Sequence, residues 1–350
     1  EMKKNVLLAL VLTLSLVFTG CGGNSSSAPA SSNPASASAP ASSVVEASWP
    51  SSKTVEIYVP FAAGGNSDLC ARIFAEALAK KTGANFVVVN QTEGNGAVCY
   101  NTIANAPADG SIIGWVTPSW FTSYFAGSHD LKPTEKFSTI AVTTAMTSQY
   151  LIVPKDSPFN SVQDLVDYCK EHPGELLFGM QLGSASHYYA ENARQNLGVE
   201  WNYVETGSGD AARVTAIMGN IIQATTVSVV SAQQYYEAGE VKVLAALYAP
   251  ESAPESMKNI PTLEEAGFSD ITVKNCNFLY AAKLDDAVCE AMYQTFSEIF
   301  NDADVQKQLK DLNQEQVLCG SYAEATEMVG GLYDSYRGVA DSLGILAPGM

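Results

Sequence analysis

Basic residues are scarce in this chain. It carries 19 Lys and Arg against 37 Asp and Glu in 350 residues, a formal net charge of −18. Phosphate backbones are gripped by clustered Lys and Arg, so the charge balance argues against a nucleic-acid partner. Only three histidines are present. No Cys-x-x-Cys or Cys/His spacing suggests a metal site. There is no Gly-x-Ser-x-Gly elbow and no Walker-type phosphate loop. Charged residues total 16% and hydrophobic ones 47%. That is enough apolar material for real cores, so global disorder is excluded as well. Long apolar runs are missing, apart from one near the start.

That run, Val6 to Phe18, follows Lys3 and Lys4. It is shorter than the ~20 residues that span a bilayer. A basic start, a short apolar stretch and then small residues read as an export signal over residues 1–20. Phe18-Thr19-Gly20-Cys21 looks like a lipobox, which makes Cys21 the lipidated residue. The alternative is an ordinary cleaved signal with an incidental Cys. Residues 21–49 then form a lipid-anchored linker. Between 22 and 47, nine residues are Ser, seven Ala and three Pro. Such a segment cannot bury apolar surface and reaches roughly 28 Å as a flexible coil. Six further cysteines follow. Export permits disulfides, but Cys70, Cys99 and Cys289 sit beside apolar residues, as buried free thiols do.

From about residue 53 short strands alternate with helices. Strands are expected at 55–59, 86–89, 112–116, 151–153, 176–179, 201–204, 223–227, 241–247 and 278–281. Helices are expected near 68–81, 97–104, 162–171, 187–197, 210–218, 232–238, 286–300, 304–312 and 322–342. This order implies α/β units with parallel sheets. About 300 residues of it suit two lobes better than one core.

Small-residue loops recur at strand-to-helix junctions. The clearest is Pro60–Asp68, with Phe61, Ala62, Gly64, Gly65 and Asp68. Its glycines allow close backbone approach and unusual φ values. The helix start supplies unpaired N–H groups that hold an anion without Lys or Arg, and Asp68 is placed to cap it. Gly183-Ser184-Ala185-Ser186-His187, Gly207-Ser208-Gly209-Asp210 and Gly94-Asn95-Gly96 have the same character. Any one of them serves equally well as a plain tight turn. Together they form the usual ligand edge of open α/β sheets. Trp115, Trp120 and Tyr124 suit either core or pocket lining. His129 and His172 read as surface residues, and Arg213 as a candidate ligand base. Arg72, four residues after Asp68, pairs with it on the helix surface.

The stretch 60–68, with Ala71-Arg72 and Ala75-Glu76-Ala77-Leu78, resembles the opening of the Bug-type receptors. These are the substrate-binding proteins of tripartite tricarboxylate transporters. Val87-Val88-Val89-Asn90 with Gly94 and Gly96, Ala106–Gly110, Gly183–His187, Met218-Gly219-Asn220, Ala238–Ala245 and Ile260–Gly267 match in order, over about residues 53–345. The resemblance implies a type II periplasmic-binding-protein fold of two α/β lobes. Lobe 1 would be 50–150 with 275–350, and lobe 2 would be 151–274. It implies a ligand carboxylate held by backbone groups at Phe61, Ala62, Gly64, Gly65 and Asp68. Ser184, Ser186, His187, Thr206, Gly207 and Ser208 would oppose them, with Ser119 and Gln149 from neighbouring strand ends.

Two departures bear on the ligand. Glu93 and Glu205 stand where members of the family often carry a base. Like charges ~4 Å apart cost about 4 kcal/mol at an effective dielectric near 20. If either side chain faces the cleft, a tricarboxylate is disfavoured, and a monocarboxylate or an amino acid fits better. Otherwise both are solvated rim residues. The resulting expectation is a monomeric, lipid-anchored receptor on the outer face of the cell membrane. It would pass a small carboxylate (a mono- or dicarboxylate or an amino acid) to integral transporter subunits, with no cofactor. A ligand-sensing subunit for a signalling partner is the alternative. A serine hydrolase built on Ser184, Ser186 and His187 is a weaker one, since Ser and His on one turn rarely reach triad geometry.

Overall fold

The computed structural model describes residues 48–94, 96–146, 148–207, 209–249, 253–312, 314–316 and 319–350. The export signal, Cys21, all but the end of the linker, Asn95 and Ser208 lie outside them. The elements run β1 (Thr54–Val59), α1 (Asn66–Thr82), β2 (Asn85–Asn90), α2 (Ala97–Ala104), β3 (Ile112–Val116), α3 (Ser119–Phe125), α4 (Pro133–Lys136), β4 (Phe137–Met146) and β5 (Gln149–Pro154). They continue with α5 (Val162–Glu171), β6 (Leu177–Met180), α6 (Ala185–Leu197), β7 (Asn202–Glu205), α7 (Gly209–Met218), β8 (Ala224–Ser228), α8 (Val229–Glu237) and β9 (Val241–Ala246). The chain ends with β10 (Cys276–Ala282), α9 (Asp286–Phe300), α10 (Ala303–Asp311), β11 (Gln314–Gln316) and α11 (Tyr322–Ser342).

Two sheets with flanking helices make two lobes. The first has strand order β11-β4-β10-β3-β1-β2, the second β7-β6-β8-β5-β9. The expectation of parallel sheets needs correction, because both are mixed. β1 runs parallel to β2 and β3, whereas β10 is antiparallel to β3 and β4. In the second sheet β6 is parallel to β7 and β8, but β5 is antiparallel to β8 and β9. The antiparallel strands are the ones that carry the chain between sheets. β4 ends at Met146 and β5 begins at Gln149. A strand entering from the other lobe does not come through a βαβ crossover, so nothing obliges it to run parallel.

β4 is absent from the sequence pattern for a physical reason. Phe137, Ile140, Ala141, Val142, Thr143 and Thr144 are all buried. A strand covered on both faces has no apolar/polar alternation to detect. α1 is more legible. Cys70, Ala71, Phe74, Ala75 and Leu78 form its buried face. Lys80 and Lys81 complement the helix dipole at its last turn, and Gly83 ends it in the left-handed conformation with its N–H on Ala79 O. The parallel register from Thr54↔Asn85 to Val59↔Asn90 ends β1 and β2 side by side. It therefore sets the loop after β1 against Asn90. All six described cysteines are buried and free.

α11 packs against β4 and α3 and reaches across to α6. The Tyr188 and Tyr336 rings meet at 5.2 Å, and Gln195 Nε2 donates to Ser342 Oγ at 2.7 Å. Beneath this contact Glu191 is 1% exposed. Arg194 Nε and Nη2 donate to its two oxygens, each at 2.8 Å, and Tyr203 Oη donates as well. Burial pushes the Glu191 carboxyl up, but the bonds from Arg194 and Tyr203 outweigh it and leave the pKa below its usual value.

Glu191→Ala is expected to lower stability by about 2 kcal/mol at pH 7. This is below the ~3–5 kcal/mol of a fully buried broken pair, because Arg194 keeps some solvent. A carboxyl with a depressed folded pKa contributes above its unfolded value of about 4.3 and loses that contribution as pH falls below it. Urea unfolding of both proteins should therefore show the gap narrowing below about pH 4. A gap independent of pH would contradict the ionised pair.

Candidate functional site

The loop after β1 is held from below by one buried carboxylate. Asp68 was expected to cap α1, but the N-cap is Gly65, which makes no side-chain cap bond. Asp68 sits in the first helical turn and reaches back. Its Oδ2 accepts Gly64 N–H at 2.8 Å and Arg72 Nε at 3.0 Å. Its Oδ1 meets Asn90 Nδ2 and Arg72 Nη2, each at 2.9 Å. Asn90 Nδ2 also donates to Phe61 O at 3.0 Å. Burial raises the Asp68 carboxyl, yet the donors from Arg72, Gly64 and Asn90 hold it below the usual carboxylate range. The pair with Arg72 thus exists, but its acid is buried and ties three elements together.

Of the two glycines only Gly64 needs its residue type for conformation, with φ at 80°. Gly65 is extended at φ −74°, and its N–H donates to Ala62 O at 3.3 Å. Both glycines are exposed at the loop tip. The amides of Ala62 and Ala63 make no hydrogen bond among the described residues. Gly96, at φ 86°, permits a different close approach. A Cβ there would lie 2.9 Å from Pro60 Cβ and 3.0 Å from Tyr100 Oη.

A cavity of ≈ 530 Å³ opens between this loop and the second lobe. Phe61, Ala62 and Ser119 line it from the first sheet, and Ser184 lines it from the second. Tyr100, Thr122, Ser123, Gln181 and Leu182 complete much of the wall. None of its described lining residues is charged. Hydroxyls dominate the first-lobe wall. Ser119 Oγ accepts from Thr117 at 2.9 Å and lies 3.4 Å from Tyr100 Oη. Tyr100 stacks on Trp120 with centroids 4.0 Å apart, and burial pushes its phenol up to about 12. Trp115 and Trp120 themselves are fully buried core residues. A second cavity, ≈ 400 Å³ and lined by Lys283, Asp286 and Tyr322, is confined to the first lobe.

The opposing loop bonds largely to itself. Ser186 Oγ accepts Gln181 N–H at 3.0 Å, and His187 Nδ1 accepts Gly183 N–H at 3.2 Å. Both residues are buried under the loop rather than lining the cavity. Ser184 Oγ donates to Gln181 O at 2.8 Å. Burial pulls the His187 imidazole down, which favours the neutral ring that this bond requires. The His187 ring bonds neither serine hydroxyl among the described residues, its only link to them being its backbone N–H on Ser184 O at 3.0 Å, so no Ser–His proton relay is formed. Thr206 donates from N and Oγ1 to Met180 O at 3.0 and 3.1 Å. Gly207 N–H donates to Glu205 Oε1 at 2.8 Å. Gln149 is buried at the start of β5, and its carbonyl accepts Leu247 N–H at 2.8 Å. Ser208 lies outside the described residues.

Two single-residue readings change. His129 is not a surface residue. It lies edge-on to Tyr100 and bonds Ser123 Oγ through Nε2 at 3.0 Å, and burial lowers its pKa to about 4. Arg213 is no free ligand base, because it is buried and paired with Asp210, with Nε on Thr226 O at 2.9 Å. Tyr100, Thr122, Ser123 and Gln181 carry no motif that singles them out. Only the neighbouring glycines at 96 and 183 mark where they converge.

The sequence matches the family described as the tripartite tricarboxylate transporter family receptor over residues 70–328. A UPF0065 protein of Bordetella pertussis is 30% identical over 202 residues, 56% of this chain and 61% of that protein, so this match spans less than two thirds of the relative. Protein BugT of the same organism is 26% identical over 62% of this chain and 67% of its own. The crystal structure of a TctC solute-binding protein from Polaromonas superposes with a TM-score of 0.72 at 24% identity, covering 84% of this chain and 100% of that one. An R. palustris protein with adipate gives a TM-score of 0.66 at 25% identity, covering 85% and 99%. These structures share the two-lobed periplasmic-binding-protein fold, and the matching family is one of receptors rather than enzymes. The chain belongs to the tripartite tricarboxylate transporter family of receptors.

Proposed function

We propose that this protein is an extracytoplasmic receptor that captures a small carboxylate between its lobes and delivers it to the membrane subunits of a tripartite transporter. The observation that carries this is the uncharged, hydroxyl-lined cavity between the two sheets. The loop that lines it leads into the start of α1 and carries the Ala62 and Ala63 amides, unbonded among the described residues, a backbone cradle at the positive end of the helix. The structurally similar R. palustris protein was solved with adipate, a carboxylate.

In this reading Phe61, Ala62, Ser119 and Ser184 touch the ligand, while Gly64, Gly65 and Asp68 shape the loop that does so. Ser186, His187, Thr206 and Gly207 support the opposite wall. Residues 50–150 with 275–350 move as one lobe and 151–274 as the other, and the ligand stabilises the closed arrangement because it binds that state more tightly. Cys21 and the Ser/Ala-rich linker hold a monomer at the outer face of the membrane. Among the described residues no helix is long and apolar enough to cross a membrane.

A thermal-shift screen over small carboxylates and amino acids, followed by calorimetry, tests the ligand class. A bound carboxylate raises the melting point according to its concentration over Kd. No shift with any carboxylate would contradict the proposal. Ala62→Phe, at an exposed cavity-lining position, is expected to weaken that ligand by roughly tenfold or more, equal to ~1.4 kcal/mol, with the unliganded melting point unchanged. Full affinity in this variant would remove Ala62 from the site. Gly64→Ala forces a side chain into the left-handed region and should cost about 1–2 kcal/mol in urea unfolding. An unchanged midpoint would show that the loop relaxes freely.

A further inference from the structure

The two walls of the cavity differ in one respect. On the first-lobe side, the amide of Ala62, which lines the cavity, and that of its neighbour Ala63 make no hydrogen bond among the described residues. On the second-lobe side, four consecutive amides are spent. Gln181 N–H donates to Ser186 Oγ, Leu182 N–H to Glu205 Oε2 at 2.6 Å, Gly183 N–H to His187 Nδ1 and Ser184 N–H to Gln181 O. Gly207 N–H, from the next loop, donates to the other Glu205 oxygen. The exposed Glu205 carboxylate therefore bridges the Leu182 amide of the cavity wall and the Gly207 amide of the next loop, just outside the lining. Leu182, which it holds, lines the cavity and is 66% exposed.

We infer that Glu205 is the specificity-determining residue of the site. It occupies the donors that a second ligand carboxylate would use and restricts the receptor to carboxylates whose distal end is neutral or cationic. The inference rests on the carboxylate reading of the cavity and adds its selectivity. Two effects act together. A dicarboxylate would meet a like charge, and it would find no free amide with which to replace its hydration. A distal ammonium, amide or hydroxyl instead meets acceptors, namely the Glu205 oxygens and the Gln181 and Ser184 side chains. Glu93, the other acidic departure, is exposed like Glu205, but its side chain bonds no cavity amide among the described residues. The expected ligand class is thus an ω-amino or ω-hydroxy acid or a simple monocarboxylate.

The test uses straight-chain probes of matched length: alkanoates, ω-amino acids and α,ω-dicarboxylates from three to eight carbons. Each is titrated by calorimetry into the wild-type receptor, Glu205→Gln and Glu205→Ala. Wild type should bind the best monoacid or amino acid roughly tenfold or more tighter than the diacid of equal length. Glu205→Gln removes the charge and should narrow that ratio to about threefold, and Glu205→Ala, which frees both amides, should favour the diacid. The selectivity ratio, unlike overall affinity, is not moved by a general loosening of the loop. If Glu205→Ala does not fold, the Gln variant decides. Wild type binding diacids as tightly as monoacids, or a ratio unchanged by Glu205→Gln, overturns the inference and leaves the receptor reading standing. Binding of no probe at all counts against both.

Discussion

The Asp68 carboxylate is the point on which the ligand edge of the first lobe depends. It is buried, and four donor contacts from Gly64, Asn90 and two nitrogens of Arg72 converge on it. Without such partners a carboxylate at this depth would be neutral or exposed. With them it ties the loop after β1, the first turn of α1 and the end of β2 into one rigid unit. The amides of Ala62 and Ala63 in this loop make no hydrogen bond among the described residues. The proposed anion-binding role would rely on this preorganisation, since none of the described cavity-lining residues is basic.

The same loop is connected to the strands that join the lobes. Ser67 Oγ donates to Asn277 Oδ1 at 2.9 Å, and Asn277 Nδ2 donates to Thr144 Oγ1 at 2.6 Å. Thr144 lies near the end of β4 and Asn277 near the start of β10, the two strands next to the crossings. Behind the cleft, α11 contacts α6 through Tyr336 and Ser342. Cleft loop, crossing strands and rear helix contact are therefore mechanically continuous. The second lobe supplies a wall whose amides from Gln181 to Ser184 are already bonded within the protein.

The local devices were legible because each has a composition signature. Glycines at 64, 96, 183 and 207 mark strand-to-helix turns, and all four have positive φ. Buried faces such as Cys70, Phe74 and Leu78 follow helical spacing. β4 was invisible because burial on both faces erases alternation. His129 misread as a surface residue because its shielding comes from Tyr100 and Trp120, up to 29 positions away in the chain. Asp68 has the composition of an N-cap, yet its role depends on Asn90, which only the β1–β2 register brings within reach.

Sequence by itself determined the alternation of elements, the positions of the small-residue loops, the acidic balance and the family. These are properties of neighbouring residues, set by backbone conformation and hydrophobic spacing. Tertiary structure alone decided which amides are open and which are occupied, that the sheets are mixed, and that Glu205 turns onto Leu182 and Gly207. The reason is that hydrogen-bond satisfaction depends on distances in space, between near neighbours such as Glu205 and Gly207 and between groups far apart in the chain such as Leu182 and Glu205. A residue type states what a side chain can donate or accept, and only the fold determines whether that capacity is already used.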